Sequence, residues 1–457
     1  MIGFLTRLLP TALTDIRSRG LGHRRIVANT GWLVTDNVIN VVAGLAVGVW
    51  VARYLGPARY GVYNYALAFV LLFSPIVGLG LKDIVIRDIV RSPDRRAEIL
   101  GTAAGLQASA AVVTLALAVV VALVARPGDT VTVWLVGILA SRFLFQAIGD
   151  TLDFWFQSQV QAKYTVWARN VGLILVSIAK IALILGGASL IAFAAAALGQ
   201  AAITAIAFIV FYLASRERFS SWRPGSQIAK DLLRSSHPLI VSAIAITIYM
   251  RLGQVILGTL ADEEQVGLYA AATRLSELWY FAPAAISSSV FPAVIRSLHT
   301  DSGDGFARRM QVYYDVMAGM AYAVVIPTVI VAPAIVRILF GPDYMGAVPI
   351  LRIHVLAFVF ISLGVARSRW LVAEDMIRFG MLATVLGAAM AIGLNLLLIP
   401  TYGGLGVAWS VLISQAISTY LSSALSRRTW TTLGQQSRSL VVFFRLPALK
   451  ESLAEIL

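Results

Sequence analysis

Five polar side chains share one apolar stretch of this chain: Arg142, Gln146, Asp150, Asp153 and Gln157. Their spacing of four, four, three and four residues keeps them within roughly 80° of a helix circumference. Thr247, Arg251, Gln254 and Gly258 repeat the arrangement, as do Asn29, Asp36, Asn40 and Gly44. Arg274 and Glu277 lie one turn apart, at a spacing that allows them to pair. Lys180, Asp315 and Arg352 complete the set, nearer the ends of their stretches, where long side chains can snorkel. An ionisable group in mid-membrane costs about 2.5–3.5 kcal/mol, so each of these needs either a partner or a water-filled cavity. Two guanidinium forks, Arg142 and Arg251, suit an anion, because they match phosphate oxygens in bidentate geometry. Asn40, Gln146, Gln254 and Glu277 are the candidate polar lining of such a cavity. Asp36, Asp150 and Asp153 are candidate carriers of a coupling ion, H+ or Na+. The competing reading is that the charges form interhelical ion pairs that only hold a bundle together.

The rest of the composition says what kind of bundle. Of 457 residues, 59% are hydrophobic and 13% charged, where a soluble domain carries about 25% charged residues. Apolar runs of a membrane-spanning length recur along nearly the whole chain and do not alternate every second residue. Soluble enzymes, disordered proteins, single-span receptors and transmembrane barrels are excluded. There are no cysteines, so thiolate metal sites and cysteine nucleophiles are excluded too. The four histidines (His23, His237, His299 and His354) show no metal-ligand spacing, and no phosphate-binding loop of the G-x-x-x-x-G-K-[ST] type is present. No metal or other cofactor is expected. The net charge of +14 reads as basic cytoplasmic loops and not as a nucleic-acid surface.

The runs predict twelve spans. Six lie near 29–53, 60–80, 99–125, 131–157, 165–186 and 189–214; six more lie near 238–260, 266–295, 310–340, 349–370, 378–400 and 404–426. Most Lys and Arg fall on one side if both termini are cytoplasmic, and that orientation is expected. Residues 1–28 read as an N-terminal cytoplasmic interfacial helix, too short to span and without a small-residue cleavage site. The expected order is an N-lobe of spans 1–6 (29–214), a basic cytoplasmic linker (215–237), a C-lobe of spans 7–12 (238–427) and a cytoplasmic tail (428–457). The tail, with Val441-Val442-Phe443-Phe444-Arg445, also reads as interfacial. Gly44-Leu45-Ala46-Val47-Gly48 reads as a small-residue step for close helix packing.

The two halves echo each other. Gly61-Val62-Tyr63-Asn64-Tyr65-Ala66 matches Gly267-Leu268-Tyr269-Ala270-Ala271-Ala272, and Phe154-Trp155-Phe156 matches Arg369-Trp370-Leu371. Leu198-Gly199-Gln200-Ala201 matches Ile413-Ser414-Gln415-Ala416. Six spans per half is an even number, which implies a parallel repeat, the arrangement in which transporters place a substrate site between halves.

The segment Ala52-Arg53-Tyr54-Leu55-Gly56-Pro57-Ala58-Arg59-Tyr60-Gly61-Val62-Tyr63-Asn64-Tyr65-Ala66 resembles the span 1–2 junction of the polysaccharide (O-antigen or repeat-unit, Wzx-like) flippases. These belong to the multidrug/oligosaccharidyl-lipid/polysaccharide (MOP) exporter superfamily. Phe73-Ser74-Pro75, Gly78-Leu79-Gly80-Leu81 and Ile86-Arg87-Asp88-Ile89-Val90 fit the same family's second span and first cytoplasmic loop. The resemblance implies an all-α integral membrane fold with two parallel six-helix lobes (MATE-like) in the cytoplasmic membrane. It implies a polyprenyl-diphosphate-linked oligosaccharide as substrate, moved to the outer leaflet for surface polysaccharide synthesis, such as lipopolysaccharide. Alternating access driven by an ion gradient is the implied mechanism, membrane lipid the surroundings, and polysaccharide polymerase or other assembly proteins the implied partners. Arg274 stands where such relatives place a cavity arginine, and so joins Arg142 and Arg251 as a candidate substrate-binding residue.

Two alternatives stay open. A multidrug or cation antiporter of the same superfamily would want an acidic, aromatic cavity, and acids match bases in number within the spans. A membrane polysaccharide polymerase or ligase would want a large external loop, which the span pattern leaves no room for.

Overall fold

A computed structural model describes residues 21–287, 291 and 303–442, and for 21–38 and 303–304 the backbone alone. The described residues are overwhelmingly helical, and none of them forms a strand. The first helix, α1, runs from Leu21 to Leu72 and is broken at Gly56, whose φ of 72° and ψ of 168° lie outside any helix. Only glycine adopts that conformation without strain, and Pro57 then starts the next helical segment with its fixed φ and missing N–H. One hinge therefore joins the two spans expected near 29–53 and 60–80. The short helices α2 (Ser74–Gly78) and α3 (Lys82–Arg91) follow. The long helices α4 (Arg96–Ala125), α5 (Thr130–Ser158), α6 (Ala162–Leu185) and α7 (Leu190–Ala214) come next.

The second half has α8 (Ser226–Leu260), α9 (Glu263–Ser276), α10 (Gly303–Leu339), α11 (Ala347–Ala373), α12 (Ile377–Tyr402), α13 (Gly404–Thr419) and α14 (Trp430–Leu440). Ten helical stretches among the described residues are long and apolar enough to cross a membrane. The first of these, Ile39–Arg91, contains the Gly56 break and so carries two spans. The expected span 266–295 begins as α9 and tightens into a 3₁₀ turn at Glu277–Trp279; 288–290 and 292–302 lie outside the described residues. With those two cases counted, the helices correspond to the twelve expected spans. The surface that a soluble protein would hide stays uncovered, with Val124, Trp134, Leu185, Ile330 and Leu397 all exposed, as lipid-facing residues should be.

The chain divides into two compact units, and the division does not follow chain order. One takes the described residues up to Val47 together with Phe73–Ile240; the other takes Gly48–Leu72 with Val241 onward. Within the first, α4 packs on α5, α5 on α7, and α6 on α7. Within the second, α10 packs on α11, α11 on α13, and α12 on α13, so the same pairing recurs. The close crossings recur too. Gly172 faces Thr204 and the Gln200 carbonyl, while Gly387, 215 positions later, faces Ser418 and the Ser414 carbonyl. The sequence echo is thus a repeat of packing.

The core of the first unit is aromatic at one end. Trp155, Phe156, Phe208 and Tyr212 are buried with Leu81, Val85 and Ile89, which form the apolar face of α3. The stretch expected as a linker is largely folded into this layer. The Trp222 indole donates to the Tyr212 hydroxyl at 2.8 Å, Arg96 pairs with Glu217 at 3.0 Å, and residues 226–237 are already part of α8. Residues 1–20 of the expected interfacial helix lie outside the described residues, and from Leu21 the chain is continuous with α1.

Asp129 caps α5 by accepting the Thr132 N–H at 3.0 Å. Partial burial pushes its carboxyl up. The Thr132 hydroxyl and amide and the Arg126 guanidinium at 3.2 Å more than offset this, so it lies below the usual carboxylate range. Its contribution is therefore complete at neutral pH and is lost only as pH falls below about 4. Asp129→Ala should cost about 1 kcal/mol at pH 7. A melting-temperature difference from the unmutated chain that narrows with acidification below that pH checks it.

Candidate functional site

The polar stripe of α5 splits in two in the first unit. Asp153 is buried and fully engaged: it accepts from Gln157 at 2.8 Å, from the Thr165 hydroxyl at 2.6 Å and from Arg169 at 2.9 Å. A carboxylate held by three donors ties α5 to α6. Two residues earlier, Thr151 donates to the buried Gln107 at 2.7 Å. Arg142, Gln146 and Asp150 are half-buried, with Gln146 donating to Asp150 at 3.1 Å. Asn40 is half-buried on α1, and the side chains of Asn29 and Asp36 lie outside the described residues. A Cβ added at Gly44 would meet nothing within 4 Å, whereas Gly48 of the small-residue step has a close packing partner.

That partner belongs to the second unit and decides where Arg274 goes. A Cβ at Gly48 would overlap the Arg274 guanidinium, which occupies the space the glycine leaves and donates to the Tyr60 hydroxyl at 3.3 Å. The Arg274–Glu277 pair suggested by spacing is not the only contact of either residue. Glu277 opens the 3₁₀ turn that ends α9, and its Oε2 lies 3.9 Å from Nη2 of Arg251 on α8. The two side chains are 27% and 31% exposed respectively, so the pair is neither sealed nor fully solvated. Gln254, expected to line a cavity, is instead buried and donates to the Asn64 carbonyl at 3.2 Å. Asp315 and Arg352 are both engaged: Asp315 accepts from Gln311 at 2.9 Å and from Ser439, and Arg352 donates to the Val329 carbonyl.

Glu277 lines a cavity of about 280 Å³ with Tyr249, Tyr269, Tyr280, His354 and Gln415. Its walls come from α8, α9, α11, α12 and α13, all in the second unit. His354 is buried, with Nδ1 at 2.7 Å from the Ser276 hydroxyl and its ring edge-on to Tyr269. Tyr280 stacks on Phe358. The sequence pointed to none of these residues except Glu277. Tyrosines inside apolar runs read as hydrophobic, and a lone histidine has no spacing to betray it.

The repeated Gly-x-Tyr segments meet each other within the same unit. A Cβ at Gly61 would overlap the Glu263 carbonyl oxygen, and one at Gly267 would overlap the Pro57 carbonyl oxygen. Around this crossing the Tyr344 hydroxyl donates to the Ala52 carbonyl at 2.7 Å, and Tyr60 and Tyr344 meet edge to face. The two helical segments touch backbone to backbone, which only glycine permits.

A family model described as "Polysaccharide biosynthesis protein" matches residues 26–298. The probable low-salt glycan biosynthesis flippase Agl15 of Haloferax volcanii is 25% identical over 213 residues, 45% of this chain and 44% of that protein. The matched stretch is thus less than half of that relative's length. A multidrug resistance MATE family transporter of the MOP superfamily, in its inward-facing conformation, superposes with a TM-score of 0.68 at 16% identity, covering 92% of this chain and 98% of the other. The lipid II flippase MurJ in an inward closed conformation also gives 0.68, at 14% identity and 92% coverage of both chains. At such identities the two structures show a shared fold.

Proposed function

The chain belongs to the polysaccharide biosynthesis protein family, and from that premise we propose that it is a flippase for lipid-linked glycan. The substrate is a polyprenyl-diphosphate-linked oligosaccharide, carried from the cytoplasmic to the outer leaflet of the cytoplasmic membrane for surface polysaccharide assembly. The observation that carries this reading is Arg251: a partly exposed guanidinium within a span, 3.9 Å from the carboxylate of Glu277, which lines a cavity. Such a group neutralises a phosphate well, because its fork can take two oxygens and cannot lose its charge. Arg274 and, in the first unit, Arg142 are the further guanidinium candidates for the same head group, each open to separate test.

The prenyl tail stays in lipid while two six-span lobes, 29–214 and 238–427, alternate between inward and outward access. Both termini are cytoplasmic, and an H+ or Na+ gradient supplies the energy. No covalent chemistry is involved, so the protein is a transporter and not an enzyme. O-antigen or another repeat unit is the cargo class, and the polymerase that consumes it is the natural partner.

One observation favours a second reading. The cavity beside Arg251 combines Glu277 with three tyrosines, a lining that also suits a lipophilic cation, as a multidrug antiporter would need. Proteoliposomes separate the two. A fluorescent polyprenyl-diphosphate sugar should cross in a gradient-dependent way, and Arg251→Ala should reduce this at least about tenfold, a loss of about 1.4 kcal/mol in stabilisation, with folded protein retained. Arg142→Ala should act in the same direction. Full activity in both variants would remove the arginine assignment. Efflux of a lipophilic cation with no glycolipid movement would establish the antiporter.

A further inference from the structure

The pair at the cavity does more than place a charge. Arg251 and Glu277 stand 3.9 Å apart, beyond hydrogen-bonding distance, and Glu277 lines a space large enough for several waters. If Arg251 receives a phosphate, as the proposed function holds, the carboxylate at that distance competes with the phosphate for the same guanidinium. On that basis we infer that Glu277 is a proton site linked to anion binding at Arg251: ionised, it holds the arginine; protonated, it releases it. Binding of a diphosphate head then takes up a proton on Glu277, and no bond other than O–H forms or breaks.

The surroundings of Glu277 are consistent with this. The charges bearing on it are Arg251 of α8 and Arg274 of its own helix, and Arg274 is directed to Tyr60 and the space over Gly48. From α8 comes Tyr249, from α9 Tyr269, from the following residues Tyr280, and from α11 His354, whose Nδ1 is taken by Ser276. The cavity residues of α12 and α13, Thr384, Val411, Gln415, Ser418 and Thr419, carry no charge. Arg251 is therefore the charge that a proton on Glu277 sets free. Linkage is reciprocal, so an anion on Arg251 must strengthen proton binding by the factor by which the proton strengthens anion binding. Transfer is drawn from the acid side to the alkaline side by this site alone. Outward flux in a cell that is acid outside would then have to be drawn by sodium or by removal of product.

The test is the affinity of the purified full chain for a short-chain prenyl-diphosphate sugar, whose diphosphate diester keeps its charge across the range. Measured at pH 5.5 and pH 8, wild-type affinity should be about tenfold higher at the lower value, within the limit of tenfold per pH unit for one linked proton. Glu277→Gln, which mimics the protonated carboxyl, should bind equally at both, at least as tightly as wild type at pH 5.5. Arg251→Ala should bind weakly at both. Calorimetry of the wild type in two buffers of different ionisation enthalpy should show proton uptake near pH 7, and decides the matter if the Gln variant does not fold. Binding by wild type that is strong, pH-independent and free of proton uptake would overturn the linkage and leave the head-group site standing. Undiminished binding by Arg251→Ala would instead overturn the site itself.

Discussion

Gly267→Val and Gly61→Val are each expected to abolish transport and to lower the melting temperature, through the same clash seen from two sides. In each case the atom that the new side chain would strike is a backbone carbonyl, of Pro57 for Gly267 and of Glu263 for Gly61. A side chain could turn aside, but a helix backbone cannot. The segments must separate, and the Gln254–Asn64 and Arg274–Tyr60 hydrogen bonds nearby lose their register. Overpacking of this kind costs about 1–3 kcal/mol, occasionally more, and a backbone obstacle places it at the upper end. Intrinsic fluorescence melts in detergent and glycolipid transfer in vesicles read the two effects separately. Wild-type behaviour of both variants in both measurements would show that the crossing is not a tight contact in the working protein.

The second large effect is expected from the tail. A chain ending at Thr429 should fail to give a stable second unit. A short helix after the last span usually reads as a raft on the membrane surface, and such a raft can be removed at little cost. Here its polar face is the buried one: Thr432, Gln435, Gln436 and Ser439 are all covered. Thr432 meets the Tyr314 hydroxyl, and the Leu440 carbonyl accepts from Tyr322 at 2.7 Å. Gln435 donates to the Ala307 carbonyl at 2.8 Å, and its own carbonyl accepts from Gln311. Truncation strands these groups on α10, at about 1–3 kcal/mol for each buried group left unpaired. Size-exclusion chromatography should then show aggregate where the full chain gives a single species. A truncated protein that stays monodisperse with an unchanged melt would return the tail to the membrane surface.

That contrast shows where the sequence stops being informative. Residues 430–440 alternate polar and apolar at helical spacing whether the polar face meets water or Gln311 and Tyr314, and pattern alone cannot tell the two apart. Span positions were legible because hydrocarbon thickness imposes a length, and the gap between 53 and 60 holds Gly56, free to leave the helix, and Pro57, which has no N–H. A repeat was legible in three short echoes, and helix crossings 215 positions apart at Gly172 and Gly387 show the same packing in both halves. The partners of charges were less accessible. Spacing proposed Arg274 for Glu277, but gave no sign of Arg251, which reaches Glu277 from another helix, or of the space above Gly48 that Arg274 fills. At Asp153, likewise, spacing gave no sign of Thr165 and Arg169, which the turn between α5 and α6 brings to it.

The division of the chain into units also bears on how the protein is made. Gly48–Leu72 packs with Val241 and beyond, so this segment leaves the ribosome well before its partners do. At about 5–20 residues per second, the interval from Leu72 to Leu440 is tens of seconds. For about the first half of it Gly61 lies in the bilayer without the Glu263 backbone it will later touch. Nascent chains halted before residue 241 should therefore hold an inserted but uncommitted hairpin, open to the insertion machinery, and the second unit closes only when its C-terminal helix is released.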